Sequence, residues 1–171
     1  MQANGHELAE NGSPHYTWLT TWTFAASPAR VWQAISRPDE WPRWWPYVAE
    51  VRLLRAGDED DLGAVRRFVW RTRLPYRVRF DAETLAVEQE RLLVARAMGD
   101  VDGQGTWRLY PEALDNCVGT RVDYEWRILL DQPWMRRLAP IAAPVFKWNH
   151  DGVMRAGAAG LKRYLQSTAE S

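Results

Sequence analysis

The chain has 171 residues, of which 46% are hydrophobic and 26% charged, and its 22 Lys+Arg balance 22 Asp+Glu. That suits one soluble globular domain with a real core, and the zero formal charge supplies no global field directed at nucleic acid or an acidic membrane surface. No apolar run approaches the ~20 residues of a membrane span, and the single cysteine, Cys117, excludes a disulfide within the chain and a thiolate metal cluster.

Residues 1–14 contain Asn4, Glu7, Glu10, Asn11 and Gly12 and no apolar run. They read as a flexible polar tail rather than a signal peptide, so a cytoplasmic location is expected. A single domain is expected over 15–166, with 167–171 as a second tail. Tyr16 to Ala25 alternates Trp18, Thr20, Trp22 and Phe24 with Thr17, Leu19, Thr21 and Thr23, which predicts a strand with one aromatic face. Ser27-Pro28 is an N-cap followed by Pro at the first helical position. The helix it opens carries Val31, Trp32 and Ile35 on one stripe and stops before Pro38. The next segment, Asp39-Glu40-Trp41-Pro42-Arg43-Trp44-Trp45-Pro46, puts three of the chain's 11 Trp into five residues. It predicts a second short helix or turn broken by its prolines. So much aromatic surface is not a linker. The expectation is a cap at one end of a sheet, with Trp41, Trp44 and Trp45 gating a cavity.

Six further strands are predicted near Val48–Arg55, Ala64–Thr72, Tyr76–Val87, Arg91–Gly99, Gly105–Tyr110 and Thr120–Leu130. Turn residues join them: Gly57-Asp58 to Gly63, Leu74-Pro75, Asp100 to Gly103, and Pro111 to Gly119. Such short joints imply consecutive antiparallel hairpins. In the last strand Val122, Tyr124, Trp126 and Ile128 alternate with Arg121, Asp123, Glu125 and Arg127, as a sheet covered on one side requires. The remainder reads as helix, broken near Pro140 and Pro144. From Ala143 to Tyr164 a helical projection groups Phe146, His150, Val153, Gly157, Leu161 and Tyr164 on one stripe, with Trp148 and Asp151 elsewhere. Gly157 and Gly160 each cost ~1 kcal/mol relative to Ala in a helix. Their expected return is a close approach to another backbone, or space beneath the helix. The fold class is therefore α+β: a seven-stranded antiparallel curved sheet wrapped around a long C-terminal helix, with two short helices after the first strand. One helix cannot fill such a concavity, so a pocket is the default expectation.

Several chemistries fall away by subtraction. Of the histidines His6, His15 and His150, two lie in or beside the tail, which removes a His-rich zinc site. There is no GxGxxG, no Walker lysine and no nucleophile-elbow serine. No cofactor and no metal are expected.

The element order and its motifs resemble the START-like helix-grip superfamily (SRPBCC), within the polyketide cyclase/dehydrase and lipid-transport group. The residues that carry the resemblance are Ser27-Pro28-Ala29-Arg30-Val31-Trp32, Trp41 with Trp44-Trp45-Pro46, Gly105-Thr106-Trp107-Arg108-Leu109, Gly119-Thr120-Arg121-Val122, and the last helix with Trp148-Asn149-His150-Asp151 and Gly157–Leu161. The likeness spans about residues 16 to 165. It implies a helix-grip fold holding an apolar ligand between sheet and helix, and leaves catalysis open, because the superfamily mixes carriers, sensors and cyclases.

The inward-facing candidates are Trp18, Trp22, Phe68, Trp70, Val78, Phe80, Trp107, Leu109, Tyr124 and Trp126. They read either as plain core or as the wall of a site for a lipid, polyketide or aromatic metabolite. Asn149 and Val153 join the ligand-binding set from the helix. His150 is the sharpest polar candidate, as an acid/base or as a buried side chain bonded to the sheet. Arg66 shares a strand face with Phe68 and Trp70; it reads as an oxyanion partner or as half of an ion pair. The basic stripe with Arg67, Arg71, Arg77 and Arg79 would suit nucleic acid, but Asp81, Glu83, Asp123 and Glu125 can pair across strands, so no nucleic-acid partner is expected. A carrier or sensor for a hydrophobic small molecule is the first reading. A cyclase- or dehydratase-type enzyme using His150 is the second. An interaction module with an exposed Trp148 is the third. Oligomeric state is not legible.

Overall fold

In the computed structural model, residues 7–8, 14–71, 77–115, 117–129 and 133–168 are described. β1 (Glu7–Leu8) and β2 (Pro14–Phe24) lead to α1 (Pro28–Ile35), a 3-10 turn (Pro38–Glu40) and α2 (Trp41–Trp44). Then come β3 (Val48–Arg55), β4 (Val65–Arg71), β5 (Arg77–Glu88), β6 (Leu92–Gly99), β7 (Asp102–Leu114), β8 (Cys117–Leu129) and α3 (Pro133–Ser167). All neighbours pair antiparallel in one sheet, ordered β1-β2-β8-β7-β6-β5-β4-β3. The seven expected strands are β2 to β8. β1 is an addition, two residues that pair with Pro14 and His15 inside the stretch read as a tail. The expected Leu74-Pro75 turn lies outside the described residues.

β7 starts at Asp102, inside the turn expected from Asp100 to Gly103, and two further differences involve proline. The β7–β8 hairpin was expected to turn at Pro111 but continues to Leu114 paired with Cys117. β6 runs alongside β7 only as far as Leu92 opposite Arg108. Pro111 therefore has no neighbour on that side, and its missing N–H breaks no ladder there. The second difference is α3, which runs unbroken for 35 residues through Pro140 and Pro144. Prolines four residues apart share a face, so the lost hydrogen bonds fall on one side while the ladder on the other side continues.

One end of the concavity is packed. Trp22, Phe24, Leu93, Trp107, Leu109 and Val122 of the sheet meet Val31, Trp32 and Ile35 of α1 and Val153, Met154, Leu161 and Leu165 of α3, all buried. The two glycines of α3 explain how close the layers come. A Cβ on Gly160 would fall inside the Trp44 carbonyl oxygen, and one on Gly157 would lie 2.5 Å from the Trp45 indole. Close approach to the Trp44 backbone is thus the return at Gly160, and close approach to the Trp45 ring the return at Gly157. The end of α3 is tied down as well: the Tyr164 hydroxyl donates to the Glu40 carboxylate at 2.9 Å, and Arg30 donates to the Leu165 carbonyl and to Thr168 Oγ1.

Candidate functional site

The inner face of the sheet has a dry half and a reachable half. In the dry half the three Trp of α2 and its exit close the end of the concavity. Trp41, Trp44 and Trp45 are all buried, Trp45 at 1% exposure. The Trp45 N–H donates to the Val153 carbonyl at 2.9 Å and the Trp41 N–H to the Ile35 carbonyl at 3.1 Å. Ring contacts link them to Trp22, Phe68, Trp70 and Trp107 at centroid distances of 4.9–5.9 Å. Phe68, Trp107 and Val153, expected to touch ligand, are core here.

In the other half, Trp18, Trp70, Phe80, Ala82, Ala95, Tyr124 and Trp126 point inward yet stay only half-buried. The register explains how the rings of this half are accommodated. Trp126 lies opposite Gly105, Gly105 opposite Ala95, and Gly103 opposite Ala97, so the central strands offer a floor of Gly and Ala. Phe80 and Trp126 stand on strands three steps apart, about 14 Å along a flat sheet. Their ring centroids are nonetheless only 6.5 Å apart. Curvature brings the walls together, and the small residues between them let the rings meet above the floor. Ala82, Ala95, Ala97 and Gly103 were missed in the sequence. Their signal was smallness at every second position of adjacent central strands.

α3 presents His150 to this half. Its ring centroid lies 4.6 Å from that of Trp18. His150 Nε2 and Trp70 Nε1 are buried and have no hydrogen-bond partner among the described residues. Such an atom costs about 1–3 kcal/mol if nothing meets it, so each calls for a partner supplied by water or ligand. Burial lowers the His150 pKa to about 4; Asp151 pulls it up and Lys147 pushes it down, both by less. The imidazole is therefore neutral at pH 7, with one nitrogen a donor and one an acceptor. Burial also raises the Tyr124 hydroxyl well above its ordinary value, so it stays a neutral O–H. Tyr124 stacks on Trp107 at 4.0 Å. Asn149 is half-buried, while Asp151 is held by Lys147 at 2.7 Å on the wet side of the helix.

Arg66 takes the ion-pair position. Its Nε donates to Asp39 at 3.1 Å, and Nη1 and Nη2 donate to Asp61 at 2.5 and 3.0 Å. Burial pulls this guanidinium's pKa down, but the bonds and charges of Asp61 and Asp39 outweigh it and the net direction is up. The contact pins the turn before α2 to β4. On the outer face, Arg67 grips Asp81 with two bonds of 2.8 Å and Arg55 meets Glu83 at 2.7 Å, as the cross-strand charge pattern predicts. A shallow depression there, bordered by Arg52, Arg67, Arg79, Glu50, Asp81 and Asp100, has mixed charge and lies on the opposite face from His150.

The depressed His150 pKa predicts a stability signature. The folded state holds fewer protons than the unfolded state between pH about 4 and the unperturbed ~6.5. Stability from the neutral imidazole is fully present above pH ~6.5 and is lost as pH falls toward 4, by about 1–3 kcal/mol. Urea unfolding of wild type and His150→Gln at pH 7.5 and 4.5 should show a smaller acid loss in the variant. Equal losses would remove this account of His150.

The comparisons agree with the geometry. The profile of the family described as polyketide cyclase / dehydrase and lipid transport matches residues 19–166. Curated protein sequences give no significant match. Among solved structures, a protein from Thermus thermophilus superposes with a TM-score of 0.72 at 17% identity, over 89% of this chain and 98% of its own. A START superfamily protein from Mycobacterium smegmatis gives 0.70 at 14% identity, over 96% and 99%. The Zhui aromatase/cyclase from Streptomyces sp. R1128 gives 0.71 at 13% identity, over 89% and 94%. At these identities the structural likeness establishes the helix-grip fold alone. The family match is what assigns the sequence: a chain matched from residue 19 to 166 belongs to the polyketide cyclase/dehydrase and lipid-transport family.

Proposed function

We propose that the protein binds a hydrophobic small molecule with an aromatic or polyene body between the sheet and α3, and serves as its carrier or sensor. The observation that carries this reading is the pair of buried, unmatched polar atoms, His150 Nε2 and Trp70 Nε1, set among half-buried inward rings over a Gly/Ala floor. A flat ring system would lie against Trp18, Phe80 and Trp126, and a ligand oxygen would meet the Trp70 N–H or the His150 ring. The family as a whole includes lipid transport, which supports the reading. A cytoplasmic location fits a single exposed thiol at Cys117. Among the described residues no helix is long and apolar enough to cross a membrane.

The test uses native mass spectrometry of the purified protein together with titration of 1-anilinonaphthalene-8-sulfonate. The expected result is a co-purifying apolar molecule or saturable probe uptake. Ala95→Phe, which puts a ring on the half-buried inner face, should weaken uptake about tenfold or more, and Trp70→Phe, which removes one donor, about threefold to tenfold. No bound molecule and no uptake would overturn the reading.

One observation favours a second reading. A neutral buried imidazole with an unmatched nitrogen can shuttle a proton, and one structural neighbour is an aromatase/cyclase. In that case His150 is the acid/base, while Arg66, already engaged by Asp39 and Asp61, would have to exchange a carboxylate for the ligand. If His150→Ala abolishes cyclisation of an offered polyketide analogue but leaves probe uptake intact, the enzyme reading prevails.

A further inference from the structure

β3 is the open edge of the sheet: among the described residues, strands pair with it on the β4 side only. Its outward face carries Glu50 and Arg52, and neither forms an ion pair among the described residues. Arg52 lies directly opposite Arg67, whose guanidinium takes both bonds of Asp81, so Arg52 feels that carboxylate through space without a contact of its own. Like charges directly opposite across a strand pair are destabilising. An acid on the free side of β3 would relieve this. The same edge leaves Leu53 at 47% and Leu54 at 40% exposure. Exposed apolar residues along an unpaired strand are a template for another strand.

We propose that β3 is a self-association edge, at which a second copy of this chain pairs antiparallel about a two-fold axis through Val51. In that register Glu50 meets the partner's Arg52 and Arg52 meets the partner's Glu50, so both unmatched charges are satisfied at once. β3 departs from regular pairing between Val48 and Glu50 and between Leu53 and Arg55, and Val48 is buried in the protein's own core, so the contact is confined to residues 50–53. A shift of the axis by one residue either way sets Glu50 against Glu50 or Arg52 against Arg52. A half-residue shift sets each charge against an apolar side chain. Charge complementarity therefore selects one register, and the result is a continuous sheet shared by two domains, with both concave sites left outside the contact. The inference does not depend on what the concavity binds.

The test is oligomeric state by light scattering and sedimentation, followed up to the solubility limit. Wild type is expected to dimerise with increasing concentration. Glu50→Arg and Arg52→Glu, each alone, face like with like twice, and should raise the dimer dissociation constant at least about tenfold. Two recoveries are specific to this register. Mixing the two single variants should give a heterodimer, and the double variant carrying both exchanges should dimerise again. Unfolding curves of each variant show that loss of association is not loss of fold. A wild type that stays monomeric throughout overturns the proposal, and so does a partner strand supplied only by another protein. Single variants that dimerise like wild type, or a mixture that stays monomeric, overturn it as well.

Discussion

Gly160→Ala is expected to destabilise the protein by about 3 kcal/mol, although Ala is the better helix former by ~1 kcal/mol. The added methyl has no place to go, because its position lies 1.7 Å from the Trp44 carbonyl oxygen and 2.9 Å from the carbonyl carbon. That obstacle is backbone rather than the far end of a flexible side chain. α3 and α2 must separate, and the separation opens contacts of Leu161 and Trp45, two of the most deeply buried side chains in the protein. Urea unfolding gives the number. A variant as stable as wild type would mean that the helix is not held against α2 as tightly as this.

Trp45→Ala is expected to cost about 3–5 kcal/mol, the usual toll of removing a large buried aromatic side chain. Trp45 is the hub of the packed end. It stacks on Trp44 at 5.2 Å, meets Trp41 at 5.5 Å, Trp22 at 5.7 Å and Trp70 at 4.9 Å, and its N–H ties α2 to the Val153 carbonyl. The loss should appear in thermal and urea unfolding alike, and it should couple to Gly157. In wild type a methyl at 157 strikes the Trp45 indole. With that indole gone the methyl enters the space left behind. The double variant Trp45→Ala/Gly157→Ala should therefore be more stable than the sum of its parts predicts. Strict additivity would argue against direct contact between the two sites.

Much of the fold could be read from the chain because the local signals agree with one another. Alternation in β8, the Ser27-Pro28 start and the hairpin turns each specify an element, and the elements leave one arrangement. Two of the misjudged boundaries were proline boundaries. Proline's effect depends on whether a neighbouring strand or a continuing helix face stands beside it, and neither is encoded locally. The site was harder to read. Large inward residues announce a face but not whether it is filled. Phe68 and Trp107 are core, Phe80 and Trp126 border reachable space, and the same alternation rule picks all four. What separates them is position along the curve of the sheet and the Gly/Ala floor of β6 and β7.

The sequence by itself determined the fold class, the aromatic inner face and the orientation of His150 toward the sheet, since each follows from periods of 2 or 3.6 residues within one element. Only the tertiary structure decided that the Trp-rich segment packs one end shut, that Arg66 binds Asp39 and Asp61, and that the reachable half lies beside His150. Those outcomes depend on strand register, on sheet curvature and on two glycines that let α3 press onto α2. They are relations between elements far apart in the chain, where no local period reaches.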